Sequence, residues 1–269
     1  MSLETMPDIG MGTFRLTGDL CREAVRSALS LGYRHIDTAQ FYANEAEVGD
    51  GITASGIPRR DVWVTTKVWH DRLRASDLIG SLQDSLERLK TDHLDLTLIH
   101  WPSPNDEVPM AEYLGALRDA QKEGLTRFVG VSNFTNAQLD NARVILGDTP
   151  LLTNQVEVHP FLSNKAVIRH CQQQGIRVTG YMPLAVGRVM DDETLIDIGR
   201  RHNASPAQIA IAWVAQQGVV PIPSSTRPEH QKSNLDALRI ELSVDEIDAI
   251  DKLNRNERIA SPDFAPAWD

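Results

Sequence analysis

Short apolar and β-branched runs alternate along this chain with longer stretches of helical period. The short runs cover residues 8–13, 34–38, 62–68, 94–100, 127–131, 153–156, 177–181 and 219–222. Several read as near-continuous apolar segments, the pattern of parallel strands covered on both faces. Between them, 23–31 lines up Ala24, Ala28, Leu29 and Leu31, and 77–89 lines up Leu78, Leu82, Leu86 and Leu89. The stretch 205–217 opens Ser-Pro, an N-cap followed by proline in the first turn. Gly32, Gly124 and Gly175 fall just past expected helix ends, where a left-handed residue closes the last turn.

Eight strand candidates separated by about one helix each predict repeated β-α units. An open doubly wound sheet shares this alternation. The count of eight and the length of 269 residues favour a (β/α)8 TIM barrel, for which about 250 residues is typical. With no linker-like or low-complexity tract, the expectation is a single domain spanning 1–269. Barrel chemistry gathers at the C-terminal ends of the strands, and the candidate residues are sought there.

Composition narrows the classes. A hydrophobic content of 41% can fill one large core, and a net charge of −10 disfavours nucleic-acid and anionic-membrane partners. No apolar run reaches the ~18 residues of a membrane span, and residues 1–7 lack the charged and apolar regions of a secretory leader. Two cysteines, Cys21 and Cys171, are too few for a disulfide scaffold, so a cytoplasmic protein with inert thiols is expected. A monomer is expected as well.

Several motifs fail. The glycine pair in GDGITA at 49–54 follows an acidic helical stretch rather than a strand, so it reads as a helix end and not a dinucleotide turn. There is no P-loop, no zinc-protease helix, no nucleophile elbow and no histidine spacing suited to a metal. His35, His70, His93, His170, His202 and His230 read as structural.

One set converges. Asp37 ends the second expected strand, Lys67 lies near the end of the third, His100 ends the fourth, and Tyr42 follows Asp37 in the next loop. Period-two alternation puts Lys67 on the face of Trp63, Thr65 and Trp69, and His100 on that of Leu94, Leu96 and Leu98. A lysine inside an apolar strand needs a partner, and Asp37 on the neighbouring strand is the candidate. A buried Asp–Lys pair with a satisfied histidine would account for these residues structurally. A functional account is also open: tyrosine, with a pKa near 10, becomes a proton donor when a nearby ammonium favours its phenolate.

The chain closely resembles the aldo-keto reductase family. The resemblance rests on GYRHIDTAQFYANEAEVG at 32–49, TKVW at 66–69, LIHWP at 98–102, GVSNF at 130–134, NQVEVHP at 154–160 and SPAQIAIAW at 205–213, in order from Gly10 to about Asp251. It implies a nicotinamide cofactor across the barrel mouth giving a hydride to a carbonyl. Tyr42 would be the general acid, Lys67 paired with Asp37 would tune it, and His100 would orient the carbonyl. Ser132, Asn133 and Gln155 would hold the carboxamide, Tyr181 would stack on the ring, and Gly12, Thr13, Asp37 and Leu184 would contact the cofactor. At the adenosine end the resemblance marks Ser224, Ser225, Thr226, Arg227, His230 and Asn234. Relatives that prefer NADPH often carry lysine and arginine where this chain has Ser224 and His230, so NADPH preference is expected to rest on Arg227, with NADH the weaker cofactor.

Phe14, Trp69, His100 and Trp101 would line the substrate pocket. The early start of the first strand leaves no room for the family's floor hairpin. The short tail after Asp251 implies a reduced pocket wall and an open mouth. Such a mouth suits small aldehydes, keto sugars and dicarbonyls, and PSSTR at 223–227 with APAWD at 265–269 resembles short bacterial members that reduce 2,5-diketogluconate and small dicarbonyls. The alternatives are a cofactor-binding regulatory subunit of the same fold with little turnover and, less in keeping with the four residues, a sugar-phosphate isomerase. No metal is expected.

Overall fold

In the computed structural model, which describes residues 4–269, every expected run contributes a strand. Met1–Leu3, part of the stretch read for a leader, lie outside the described residues. The strands are β1 (Met11–Gly12), β2 (His35–Asp37), β3 (Trp63–Val68), β4 (Leu94–Ile99), β5 (Thr126–Ser132), β6 (Leu151–Glu157), β7 (Arg177–Tyr181) and β8 (Val219–Ile222). They pair in parallel in sequence order, for example Asp37 with Thr65 and Lys67 with Leu98. The ring closes where Gly10 and Gly12 donate to the carbonyls of Pro221 and Pro223 at 3.0 and 2.9 Å. The protein is thus a single-domain (β/α)8 barrel. β1 is shorter than the expected 8–13 because only its central residues pair with β2.

Helices follow each strand: α1 (Gly18–Leu31), α2 (Glu45–Ser55), α3 (Ala75–Leu89), α4 (Met110–Lys122), α5 (Asn136–Leu146), α6 (Lys165–Gln173), then α7 (Glu193–His202) and α8 (Pro206–Gln216) before β8, and α9 (Pro228–Asp236) and α10 (Val244–Asp251) after it. Gly32, Gly124 and Gly175 all have positive φ, as their positions past helix ends require. Thr135/Gln138, Ser205/Gln208 and Ser243/Glu246 form reciprocal caps at the starts of α5, α8 and α10.

The glycine pair at 49 and 51 corrects one expectation: it lies inside α2, not at its end. A Cβ on Gly49 would fall 2.7 Å from the Leu89 carbonyl, and one on Gly51 would fall 2.7 Å from the Arg22 carbonyl and from the Val25 Cβ. Close approach of α2 to its neighbours, rather than termination, requires these glycines.

The main apolar layer lies between the strands and the helices. A smaller inner cluster gathers Met6, Trp63, Leu96, Leu98, Val220 and Ile222 inside the barrel. Among the described residues no strand precedes β1, as expected. Met6 fills part of the floor, its carbonyl accepting from Arg177 at 2.9 Å. The Trp63 and Phe128 rings stack at 5.4 Å, with the Arg127 guanidinium over both. With the floor packed, the mouth at the strands' C-terminal ends is left for ligands. No described helix is long and apolar enough to cross a membrane.

Candidate active site

The short turn Gln40–Tyr42 carries Tyr42 over the mouth. Gln40 Nε2 pins this turn to α3 through the Ser81 carbonyl and the Ser85 hydroxyl, both at 3.1 Å. Buried Asn44 locks its other side, donating to the Thr13 and Leu16 carbonyls at 2.8 and 2.9 Å and accepting from Thr38 at 2.9 Å. Tyr42 is therefore fixed by polar contacts on two sides.

Beneath it, Lys67 is fully buried. Its Nζ donates to Asp37 Oδ1 at 2.5 Å and to the Thr38 carbonyl at 2.7 Å, and lies 3.3 Å from the Tyr42 hydroxyl. Burial would pull the proton off Lys67, but Asp37 and then Tyr42 outweigh it and leave its pKa above the ordinary lysine value. Burial pushes Tyr42 upward, and the Lys67 charge opposes this without cancelling it, so the phenol keeps its proton in the resting site. The net rise comes from burial; the Lys67 charge itself acts in the expected, lowering direction.

The His100 ring meets Tyr42 edge-on at 5.7 Å and Trp69 at 5.0 Å. Burial, followed by Lys67 and His70, holds it well below the usual histidine range, so it is neutral at pH 7. Its Nδ1 is buried and has no partner among the described residues.

The strand-end polar residues join this group. Ser132 donates to the Gln155 carbonyl at 2.8 Å, Asn133 donates to Ser132 Oγ at 3.1 Å, and Tyr181 donates to Asn133 Oδ1 at 2.8 Å. Asn133 holds a left-handed conformation, φ 63°, which asparagine tolerates and which turns its amide back to the His100 carbonyl at 3.0 Å. Gln155 Nε2 donates to Asp37 Oδ2 at 2.7 Å.

A cavity of about 550 Å³ opens here. Gly12, Phe14, Asp37, Tyr42, Trp69, His100, Trp101, Ser132, Asn133, Gln155, Tyr181, Leu184 and Ser224 line it. Lys67 and Thr13 lie behind that wall, the Thr13 hydroxyl on the Asp37 carbonyl at 3.1 Å. Ser225, Thr226, Arg227 and His230 are outside the cavity at the start of α9, with Arg227 exposed as its N-cap. Asn234 is buried farther along α9, beside the Tyr33 hydroxyl. Cys21 and Cys171 are buried, and their thiols are pushed up to about 12 by burial, which leaves them unreactive as expected. Among the described residues no group of three or more metal-ligating side chains occurs.

The structure adds residues that sequence reasoning missed. Phe41 stacks on Trp69 at 4.0 Å, and Arg15 enters the mouth without a salt bridge among the described residues. The short irregular tail still supplies part of the wall: Ala260, Pro262 and Phe264 face the cavity. Phe264 meets Trp101 edge-on at 5.6 Å and Trp69 at 6.0 Å, adding a third ring to the aromatic side of the pocket. His70, read as structural, packs on Phe264 at 4.6 Å.

The model of the aldo/keto reductase family matches residues 8–255. A methylglyoxal reductase, DkgB, of Escherichia coli O157:H7 is 48% identical over 98% of this chain and 99% of its own. A glyoxal reductase of Bacillus subtilis is 39% identical over 96% of this chain and 93% of its own. A crystal structure provisionally named a 2,5-diketo-D-gluconic acid reductase B superposes with a TM-score of 0.95 at 42% identity, covering 98% of this chain and 94% of that one. A Bombyx mori aldo-keto reductase solved in complex with NADP gives 0.89 at 34% identity, over 96% and 92%.

Proposed function

This chain belongs to the aldo/keto reductase family and is an oxidoreductase, and from that premise we propose that it reduces small aldehydes, keto sugars or dicarbonyls of the methylglyoxal or 2,5-diketogluconate type with NADPH. The observation that carries this reading is the Tyr42 hydroxyl, 3.3 Å from an ammonium clamped by Asp37 and open to the cavity beside a neutral His100. The names of the E. coli and B. subtilis relatives support the substrate class.

The residues present suit a nicotinamide. An aromatic face, Tyr181, adjoins the amide and hydroxyl groups of Ser132, Asn133 and Gln155. A Cβ at Gly12 would meet Ile222 at 3.1 Å, so the close approach there depends on glycine. When bound, the reduced nicotinamide supplies the hydride. Ser132, Asn133 and Gln155 would hold its carboxamide, Tyr181 would back its ring, and Gly12, Asp37 and Leu184 would complete the contacts, with Thr13 behind them on the Asp37 carbonyl rather than on the cavity surface as expected. Ser224, Ser225, Thr226, His230 and Asn234 would flank the adenosine end, and Arg227, the exposed cation of residues 223–227, would meet a 2′-phosphate there.

Charge develops on the carbonyl oxygen as it is reduced. His100, neutral, donates one hydrogen bond to that oxygen and orients it. Tyr42 gives it a proton. Because Tyr42 rests as a phenol, the attraction of Lys67 for phenolate is realised only as the proton leaves, which is when it accelerates the reaction. Phe14, Trp69 and Trp101 hold the carbon side of the substrate.

Following NADPH absorbance with methylglyoxal and 2,5-diketogluconate tests the reading. Wild type turns over at least one of them and Tyr42→Phe neither. Turnover that survives in Tyr42→Phe refutes the acid assignment, and tight cofactor binding without turnover of any carbonyl refutes the reductase reading.

A further inference from the structure

Glu157 ends β6 at the mouth, yet it is fully buried and takes no part in the chemistry above. Its two carboxylate oxygens accept from the backbone of the tail: Ile259 N on Oε1 and Ala260 N on Oε2, each at 2.7 Å. His159 Nε2 lies 2.9 Å from Oε1. Burial alone would raise the Glu157 pKa, but His159 and the two N–H groups hold it below the ordinary carboxylate range.

The tail has no helix or strand beyond α10 to hold it. Its other anchors lie on either side of this clasp. Arg255 N and Glu257 N donate to the Phe161 carbonyl at 3.2 and 3.0 Å, and Arg258 donates to Asn164 at 3.1 Å. Farther on, Asp269 accepts from Asn136 N at 2.9 Å. Between Ala260 and that last anchor lies the piece that faces the cavity, with Pro262 and the Phe264 ring against Trp101 and Trp69. A buried charge satisfied by two consecutive backbone donors fixes both position and direction of the irregular segment, and hydrogen bonds to a charged group are the strong ones.

We propose that Glu157 is a positioning residue for substrate selection: by clasping Ile259 and Ala260 it sets the wall that Pro262 and Phe264 present to the carbonyl's substituent. The inference rests on the reading that the substrate occupies this cavity. Loss of the clasp loosens the wall and flattens the preference for small substituents, while the Tyr42, Lys67 and His100 arrangement stays intact.

Two variants separate this from a purely structural role. Glu157→Gln replaces one acceptor oxygen by an NH2 facing a backbone donor. Ile259→Pro deletes one donor, lies on the tail outside the cavity lining, and decides the matter alone where Glu157→Gln does not fold. Two readouts are taken. The first is tryptic cleavage after Arg255, which needs no activity. The second is the ratio of kcat/KM for methylglyoxal to that for phenylglyoxal. Both variants should be cut about tenfold faster and lose about tenfold of this ratio, mainly in KM, the scale of one lost hydrogen bond to a charged group. Unchanged cleavage overturns the clasp, and faster cleavage with an unchanged ratio overturns its role in selection. Absence of turnover in wild type overturns the functional reading instead, and the cleavage experiment still reports on the clasp.

Discussion

Gln155 and Asp37 are joined directly: the amide Nε2 donates to Asp37 Oδ2 at 2.7 Å, while Lys67 occupies Oδ1. A residue expected to hold the nicotinamide carboxamide is thus also a support for the carboxylate that clamps Lys67. Gln155→Leu leaves Oδ2 without its donor, and an unsatisfied buried acceptor costs about 1–3 kcal/mol. Steady-state NADPH oxidation should therefore show kcat reduced by about tenfold or more. Gln155→Glu should be worse. Two carboxylates in one buried site share a proton, and the pH profile of kcat/KM should acquire a new limb that Gln155→Leu lacks.

Lys67 and Asp37 are both essentially inaccessible, with side-chain exposures of 0% and 3%. Removing one partner strands the other as a buried charge, which costs about 3–5 kcal/mol. Lys67→Met should accordingly lower stability toward urea as well as abolish turnover. Adding Asp37→Asn removes the stranded charge, so the double variant should recover most of the stability and none of the activity. Equal loss in the single and double variants would show that the pair does not act as a unit.

Much of this arrangement was legible in the sequence, and for physical reasons. Parallel strands covered on both faces must be apolar, so β3, β4 and β7 stand out within a residue or so of their observed ends. The charged residues Asp37 and Lys67 violate that rule at the ends where barrel chemistry occurs, which is why they drew attention. Gly49 and Gly51 misled because helix-terminating and helix-packing glycines look alike until the neighbouring helix is known. The pocket wall was hidden for a different reason. Its segment has no period, and it is held through backbone N–H groups by Glu157, a residue about a hundred positions earlier in the chain. The upward pKa of Tyr42 was missed because burial could not be weighed against the Lys67 charge before the cavity was seen.

Arg227 is exposed, caps α9 with its backbone, and its side chain makes no salt bridge among the described residues. If it faces the 2′-phosphate, Arg227→Ala should raise the KM for NADPH about tenfold, a typical loss for one charge-assisted hydrogen bond, and leave that for NADH unchanged. Arg15, which lines the mouth itself, serves as the contrast: if it meets features that NADPH and NADH share, Arg15→Ala should weaken the two alike. An unchanged NADPH KM in Arg227→Ala would remove that residue from the assignment.

His35, on β2, is wholly buried, with Nε2 3.0 Å from the Thr65 hydroxyl and Nδ1 unpartnered among the described residues. Burial pushes its pKa down to about 4, Asp37 opposing and Lys67 assisting. In the unfolded chain the same group titrates near 6.5. Between those values the unfolded state binds the extra proton, so stability falls as pH drops from about 6.5 to about 4 and this group contributes no further loss below. At 1.36 kcal/mol per unit the window corresponds to about 3 kcal/mol. His100, also held neutral by burial, adds a loss of the same sign. Urea unfolding at pH 7 and pH 4 should therefore show a smaller acid destabilisation in His35→Gln than in wild type, by about 3 kcal/mol. An identical drop in the two proteins would mean that His35 takes up its proton in the folded barrel as readily as in water, and that burial at this position does not exclude the charge.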